Sequence, residues 1–313
     1  MALPTGSFTG TSDISNLVKA AYDQYVRMAL RSIPVMRSLA DVKPVQQAMP
    51  GSSVVFSIYS DLAQATSTLT ETLDVSSIAL GNPSQVTVTL NEYGSAVTTT
   101  KKLNLTSFND VDAALADIIA YNAADSIDSV VATVLTGGTN VIYGGNATTT
   151  NTIDSADTIS VADIRNAVTE LRTNKALPRL GELYAAYLHP RQAADLRAES
   201  GTGGFQDIVK YTDNVSKTII PGSVGVIEGA FVVETPRVPY AANTNSPAVN
   251  VYKAVVAGRE ALAEAMGQDI NTVIGPEIDA LRRFRTIGLY YFCGFARLRE
   301  AALYRIETSA SAG

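Results

Sequence analysis

Residues 51–90 read GSSVVFSIYSDLAQATSTLTETLDVSSIALGNPSQVTVTL, and their pattern decides the architecture. Val54, Phe56 and Ile58 alternate with Val55, Ser57 and Tyr59, the period of a strand with one strongly apolar face. Val86, Val88 and Leu90 alternate with Thr87, Thr89 and Asn91 and predict a second strand. Between them, Asp61 to Gln85 is rich in Ser and Thr and contains Gly81-Asn82-Pro83. Its charged residues are the acids Asp61, Glu71 and Asp74; it holds no Lys or Arg and no long apolar face. The stretch therefore reads as an oversized hairpin. A structureless connection of this length inside a compact chain points to function. It cannot fold against itself, so it needs an external surface. Bent double, each limb of about 12 residues spans about 40 Å, enough to cross a neighbouring protomer.

Upstream, the first ten residues are small, polar and Gly-rich and read as an arm. From Asp13, residues Ile14, Leu17, Val18, Ala21, Tyr22, Tyr25 and Val26 recur at helical spacing, and Pro34 and Pro44 interrupt the stretch after them. Downstream, Glu92-Tyr93-Gly94 reads as a break, and Ala96 to Leu103 as an extended, Thr-rich continuation. The strongest helix runs from Asp110 to Leu135, with Val111, Leu115, Ile118, Ile119, Ile127, Val130, Val131 and Val134 on one stripe. Ser107 or Asn109 can cap it, Asp110 and Asp112 suit its first turn, and Gly137-Gly138 ends it. Its acids Asp117, Asp125 and Asp128 read as a solvated face.

A Gly/Thr/Asn-rich stretch, Gly137 to Thr152, suggests a domain boundary, with a second α/β region beyond it. Ser160 with Asp163 resembles a capping box opening a helix through Leu171. Leu183 to Leu188 reads as a strand and Pro190 to Ala198 as a short helix. Val224 to Val233 and Val249 to Ala257 read as strands, Arg259 to Met266 as a short helix. Thr286 to Ala296 is a nearly continuous apolar run, which fits a strand buried on both faces. There is no internal repeat.

The composition excludes several classes of protein. With 313 residues and 46% hydrophobic, the chain can bury a real core. Charged residues are only 17%, which suits a surface buried against copies of itself. Lys plus Arg number 24 against 30 Asp plus Glu, a net charge of −6, and such a chain is a poor ligand for phosphate backbones. The single cysteine, Cys293, lies in the apolar run Leu289 to Cys293 and reads as a buried, inert thiol, in keeping with folding in a reducing cytoplasm. The N-terminus lacks the pattern of a signal peptide, and no apolar run reaches the roughly 18 residues of a membrane helix.

Catalytic groups are thin on the ground. The single histidine, His189, precedes Pro190 and reads as a cap at a helix start. One His and one Cys cannot assemble a structural zinc site, so no metal, cofactor or catalytic residue is assigned. Gly222, Gly225 and Gly229 are too loosely spaced for a phosphate loop and read as turn glycines. Arg282, Arg283 and Arg285 form the one basic cluster, with Arg297 and Arg299 further on, and ion pairing within or between subunits is the expected use.

The order of these elements resembles the coat proteins of tailed phages, which share the Hong Kong 97-type capsid fold. The resemblance rests on Gly51 to Ile58, on Leu69-Thr70-Glu71 within the hairpin, and on Val86 to Leu105 leading into Asp110 to Gly138. Tyr187-Leu188-His189-Pro190, Gly222 to Val233 and Thr286 to Ile306 extend it over most of the chain. The fold class implied is α+β. The resemblance implies an N-terminal arm at 1–47 and a peripheral domain at 48–60, 86–147 and 286–299, with Asp110 to Leu135 as its spine helix. It implies an extended loop at 61–85 lying over a neighbour, and an axial domain at 148–285 and 300–313. Glu71, Asp74, Gly81 and Pro83 would then make intersubunit contacts.

The function implied is that of a major capsid protein building an icosahedral shell from pentamers and hexamers. Its setting would be the virion, assembled in the host cytoplasm, with no membrane. A portal, a separate scaffold, a decoration protein and DNA packaged without specific binding would be its partners. The segment before the first clear strand is too short for a large fused scaffold plus an arm. Some members of the family cross-link a loop lysine to a neighbour's asparagine, and 61–85 has no lysine to do so. Two other readings stand beside this one: an encapsulin-type compartment shell with the same fold, and a hydrolase using Asp/Glu of the second α/β region.

Overall fold

The structure, a computed structural model, describes residues 35–44, 52–59, 62, 64–66, 68–69, 71–72, 74, 78–107, 111–199, 223–245, 247–277 and 279–311. The helical pattern expected from Asp13 to Val26, Pro34, the capping candidate Asn109, the first-turn acid Asp110 and Gly222 lie outside these residues.

A 3-10 turn, Met36–Leu39, leads into strand β1, Ala40–Pro44. Strands β2, Ser53–Ile58, and β3, Ser84–Thr89, pair antiparallel from Ser53↔Thr89 to Ile58↔Ser84, the hairpin that the alternation predicts. Val54, Phe56 and Ile58 are half-buried while Ser53, Val55 and Ser57 are exposed. Val54 and Phe56 pack on a small core of Val88, Leu90, Ala263 and Ala265.

Strand β4, Asn91–Thr100, runs straight through the expected break at Glu92-Tyr93-Gly94. Gly94 is there for a different reason. A Cβ on it would lie 2.8 Å from the Leu289 carbonyl oxygen, so the glycine marks a close approach of two strands, not a turn. The extended run also stops early. Lys101–Thr106 forms helix α1, whose first turn is held by the Thr100 hydroxyl accepting the Leu103 N–H at 3.2 Å.

Helix α2, Val111–Thr136, has 26 residues and is about 39 Å long at about 1.5 Å per residue. Leu115, Ile119, Ile127 and Val131 are buried along it, and Val130 and Val134 half-buried. Ile118 departs from the expected stripe and is 47% exposed. The stretch expected to be only a linker contains strand β5, Val141–Tyr143.

Helix α3, Val161–Thr173, opens on the predicted Ser160–Asp163 capping box. Strand β6, Tyr184–Leu188, is fully buried and passes directly into helix α4, Pro190–Ala198. Strands β7, Ser223–Ile227, and β8, Ala230–Glu234, form a tight hairpin. Its turn residues Glu228 and Gly229 have φ of 48° and 84°, the backbone a two-residue primed turn requires. Strands β9, Tyr240–Ala242, and β10, Asn250–Ala257, come next.

Residues 259–266 depart most from the expectation of a helix. They enter strand β11, Leu262–Ile274, which pairs with β12, Phe284–Arg297, on one side and parallel with β1 on the other. Ala, Glu, Leu and Met favour helix locally, but pairing with two strands on either side overrides that weak preference. Strand β13, Leu303–Thr308, ends the order.

The strands form a four-stranded sheet, β1-β11-β12-β4, and a seven-stranded sheet, β5-β13-β10-β6-β8-β7 with β9 on β10. The hairpin β2–β3 is separate. One continuous core joins α2, α3 and the inner faces of both sheets. The class is mixed α+β. The expected division groups β11 with residues 148–285, whereas its ladder runs to β12 and β1.

Candidate functional site

The connection between Ile58 and Ser84 leaves the hairpin at its open end. Among its described residues Leu62, Leu69, Ile78 and Leu80 are 57%, 77%, 68% and 57% exposed. Glu71, Asp74 and Gly81 are exposed too, and Pro83 is half-buried where β3 begins. Large apolar side chains grouped on one exposed segment mark an interaction surface. Here they alternate with acids and have no cation among them.

The basic cluster takes shape at the opposite end of β4. Lys101, Arg282, Arg283 and Arg285 surround a cleft of about 100 Å³ together with Thr99, Asn104, Glu277 and Phe284. Arg283 donates to the Asp279 carboxylate at 2.6 Å and lies over the Phe284 ring, 5.4 Å from its centroid. That guanidinium holds the Asp279 carboxyl below its ordinary range. Ion pairing within the chain therefore accounts for part of the cluster. Asp279 and Arg282 sit at φ of 91° and 52°, so the turn displaying the arginines is itself tightly wound.

A second set of charges lies inside the protein, and the sequence reading missed it. Asp128 does not belong to a solvated face. It is fully buried, accepts the Val35 N–H at 2.8 Å and the Arg37 N–H at 3.2 Å, and pairs with Arg237 at 2.9 Å. Asp125 binds the same guanidinium at 2.6 Å. Arg37 in turn meets Glu264, also fully buried, at 2.7 Å. Arg179 binds Asp41 at 2.6 Å and the carbonyls of Ser38 and Ala40. Residues 35–41 are thus fastened to α2, to β11 and to the segment before β6. The partners lie far apart in sequence, and no local spacing announces them.

The remaining candidates are structural. His189 caps α4, its Nδ1 accepting the Arg191 N–H at 3.2 Å, and its ring meets Tyr240 edge-on and Tyr252 at a tilt. Burial, with Arg191 nearby, lowers its pKa. Cys293 is buried, and burial pushes its thiol up to about 11. Among the described residues no three His, Cys, Asp or Glu side chains gather as metal ligands, and no helix is long and apolar enough to cross a membrane.

Comparison with known proteins places this geometry. The family described as phage capsid protein matches residues 9–311. No curated protein matches the chain. The fold is similar to the capsid of Ralstonia phage GP4, with 16% identity over 98% of each chain and a TM-score of 0.75. It is also similar to the head structure of Helicobacter pylori bacteriophage KHP40, with 14% identity over 98% of each chain and a TM-score of 0.70. The capsid of Cyanophage Pam1 matches at 14% identity over 99% of this chain and 100% of that one, with a TM-score of 0.68. At such identities the likeness concerns the fold.

Proposed function

We infer function from one premise: this chain belongs to the phage capsid protein family, which it matches over residues 9–311. It is a structural major capsid protein, and copies of it form the shell of a phage virion. We propose that it does so with the Hong Kong 97-type division of labour. Strands β4, β11 and β12, α2 and the β2–β3 hairpin would form the peripheral unit, to whose sheet the arm adds β1. The seven-stranded sheet with α3 and α4 would form the axial unit, grouped around five- and six-fold axes, and residues 1–47 an arm. A portal, a separate scaffold and a decoration protein are the proposed further partners. Assembly is proposed to occur in the host cytoplasm, around DNA held without specific contacts.

The loop carries this reading. Residues 61–85 would lie over a neighbouring subunit, with Glu71, Asp74, Gly81 and Pro83 in the contact. The supporting observation is that, among its described residues, Leu62, Leu69, Ile78 and Leu80 stand exposed and none joins a core cluster. Contacts of this heterologous kind close into rings and shells.

Electron microscopy of the protein expressed with its phage assembly proteins tests the reading. Closed icosahedral shells built of pentamers and hexamers are expected. Monomers and dimers alone would overturn it.

A further inference from the structure

We propose that residues 35–41 are a strap that locks a hinge between the two sheets through oriented charges, and that this lock sets the angle each protomer brings to the shell. The consequence for the shell rests on the two-unit division proposed above. The lock itself is a property of the protomer.

The hinge is written in the topology. Strands β10 and β13 pair in the seven-stranded sheet, and β11 and β12, their neighbours along the chain, pair in the four-stranded sheet. The two segments therefore cross between the sheets side by side, through residues 258–261 and 298–302. The Gly258 N–H donates to the Ala302 carbonyl at 2.9 Å, and the Leu298 N–H to the Ala261 carbonyl at 3.1 Å. Glu260, between them, sits at φ 61°, so the extended backbone is broken there. A two-stranded ribbon has a wide range of twist and does not by itself fix the angle between the sheets it joins. The third crossing is α2, between β4 and β5.

Residues 35–41 lie against all of these parts. On the four-stranded side, Arg37 grips Glu264 of β11 through Nε at 3.0 Å and a terminal nitrogen at 2.7 Å, and the strap runs on into β1, the parallel neighbour of β11. On the seven-stranded side, the Ser38 hydroxyl meets the Tyr187 hydroxyl of β6 at 3.1 Å. Arg179, ahead of β6, forks over the Asp41 carboxylate and the Ser38 and Ala40 carbonyls. At the hinge itself, the other oxygen of Asp41 accepts the Glu260 N–H at 3.0 Å. On α2, Asp128 accepts the Val35 and Arg37 N–H groups together with Arg237.

The chemistry of these contacts says what they contribute. Apolar side chains already join the two sheets, Met36 and Leu39 of the strap among them. Such burial is non-directional and tolerates small rotations. A forked guanidinium on a carboxylate fixes direction as well as distance. A buried ion pair adds little net stability over an apolar pair of similar volume. Asp128 and Glu264, both fully buried, and the arginines that meet them therefore contribute geometry more than stability, at the place where two sheets are free to turn on each other.

The test begins with Arg37→Met and Glu264→Leu together, which removes the ion pair and leaves its site filled and apolar. Nitroxide labels on Asn91→Cys of β4 and Asn166→Cys of α3, both exposed positions, report the distance between the two units in the unassembled full chain, with Cys293→Ala as the background. Melting is expected at the wild-type temperature or above, while the single narrow distance peak of the wild type spreads into a broad distribution. Shells of this variant, sized by electron microscopy, are expected to lose their single diameter. Arg179→Met should broaden the distances too, and Arg179→Lys, which keeps the charge but not the fork, should lie between it and the wild type. These two variants decide the matter if the Arg37 and Glu264 pair variant does not fold. A narrow peak in the folded variants would overturn the lock, and lowered melting with a narrow peak would reduce the contacts to stability. Broad distances with shells of one diameter would overturn the role in the shell, because neighbours then set the angle. Absence of shells from the wild type would remove the two-unit reading, and the label distances would still decide the lock.

Discussion

Asp128 and Arg237 form an ion pair of 2.9 Å between groups 109 residues apart, with the carboxylate fully buried. The same carboxylate accepts two backbone N–H groups from Val35 and Arg37. A buried charge is tolerable only when it is paired and hydrogen-bonded, and here three donors meet it. One side chain thereby ties α2 to the loop after β8 and to the turn that precedes β1.

Removal of the carboxylate should be costly. Asp128→Ala takes from Arg237, whose side chain is 6% exposed, one of the two carboxylates it binds, and orphans two backbone donors. A loss of about 3 kcal/mol is expected, near the lower end for breaking a buried pair. Asp128→Asn keeps an acceptor and should cost about 1–2 kcal/mol. Urea unfolding of both variants measures the difference. An unchanged midpoint for Asp128→Ala would mean that the turn at Met36 is held by other contacts.

Cys293 should behave as a thiol, not a thiolate. With its pKa pushed up to about 11 by burial, it should resist maleimide in the folded shell protein and react at once in denaturant. The raised value also sets a pH dependence. Below the ordinary value of 9.0 both folded and unfolded thiols are protonated and the full stability is present. As pH rises from 9.0 toward about 11, the unfolded chain ionises first and the contribution is lost. Cys293→Ala should flatten that alkaline slope; rapid labelling of the native protein would contradict its burial.

Local signals made the hairpin, α2, the Ser160 capping box, the His189-Pro190 corner and β12 legible, because each is written in alternation, helical spacing or a cap. What escaped depends on partners distant in sequence. Leu262-Ala263-Glu264-Ala265-Met266 favours helix by residue preference, yet β1 and β12 claim it as a strand, and Glu264 is buried only because Arg37 meets it 227 residues away. Gly94 reads as a break until β12 is placed against it. Asp128 reads as solvated until Arg237 arrives. The exposed loop was visible as a polar stretch without cations.

His189 should add a slope on the acid side. Burial lowers its folded pKa below the ordinary 6.5. The unfolded imidazole therefore takes up its proton first as pH falls through 6.5, and stability declines until the folded group protonates. Protonation also removes the Nδ1 acceptor that holds the Arg191 N–H. His189→Asn, which can still cap α4, should be less sensitive between pH 7 and the folded pKa. Thermal melting across that range decides the matter, and parallel slopes for both proteins would assign the acid sensitivity to carboxylates.

Covalent linkage between subunits should not originate in the loop. An isopeptide bond needs an amine, and residues 61–85 contain no lysine. Particles boiled in reducing detergent should run as one band near 33.0 kDa. A ladder of heavier bands mapped by mass spectrometry to this loop would refute the expectation. Shell stability must otherwise come from noncovalent overlap or from a second protein.

Folding and assembly should separate at the hairpin. The β2–β3 ladder closes at Ile58↔Ser84, and the described leucines and isoleucine beyond it are exposed, so the protomer core gains little from the loop. Replacement of residues 59–83 by Asn-Gly joins the strands through the shortest favoured turn and lowers the entropy cost of closure. The shortened chain should stay soluble and melt cooperatively at or above the temperature of the full chain. It should not build closed shells, because each subunit has lost its reach over a neighbour. Calorimetry together with electron microscopy on both proteins reads the two properties independently. Intact shells from the shortened chain would show that the clamp lies elsewhere. A chain that no longer folds would show that Leu62, Leu69, Ile78 and Leu80 serve their own protomer after all.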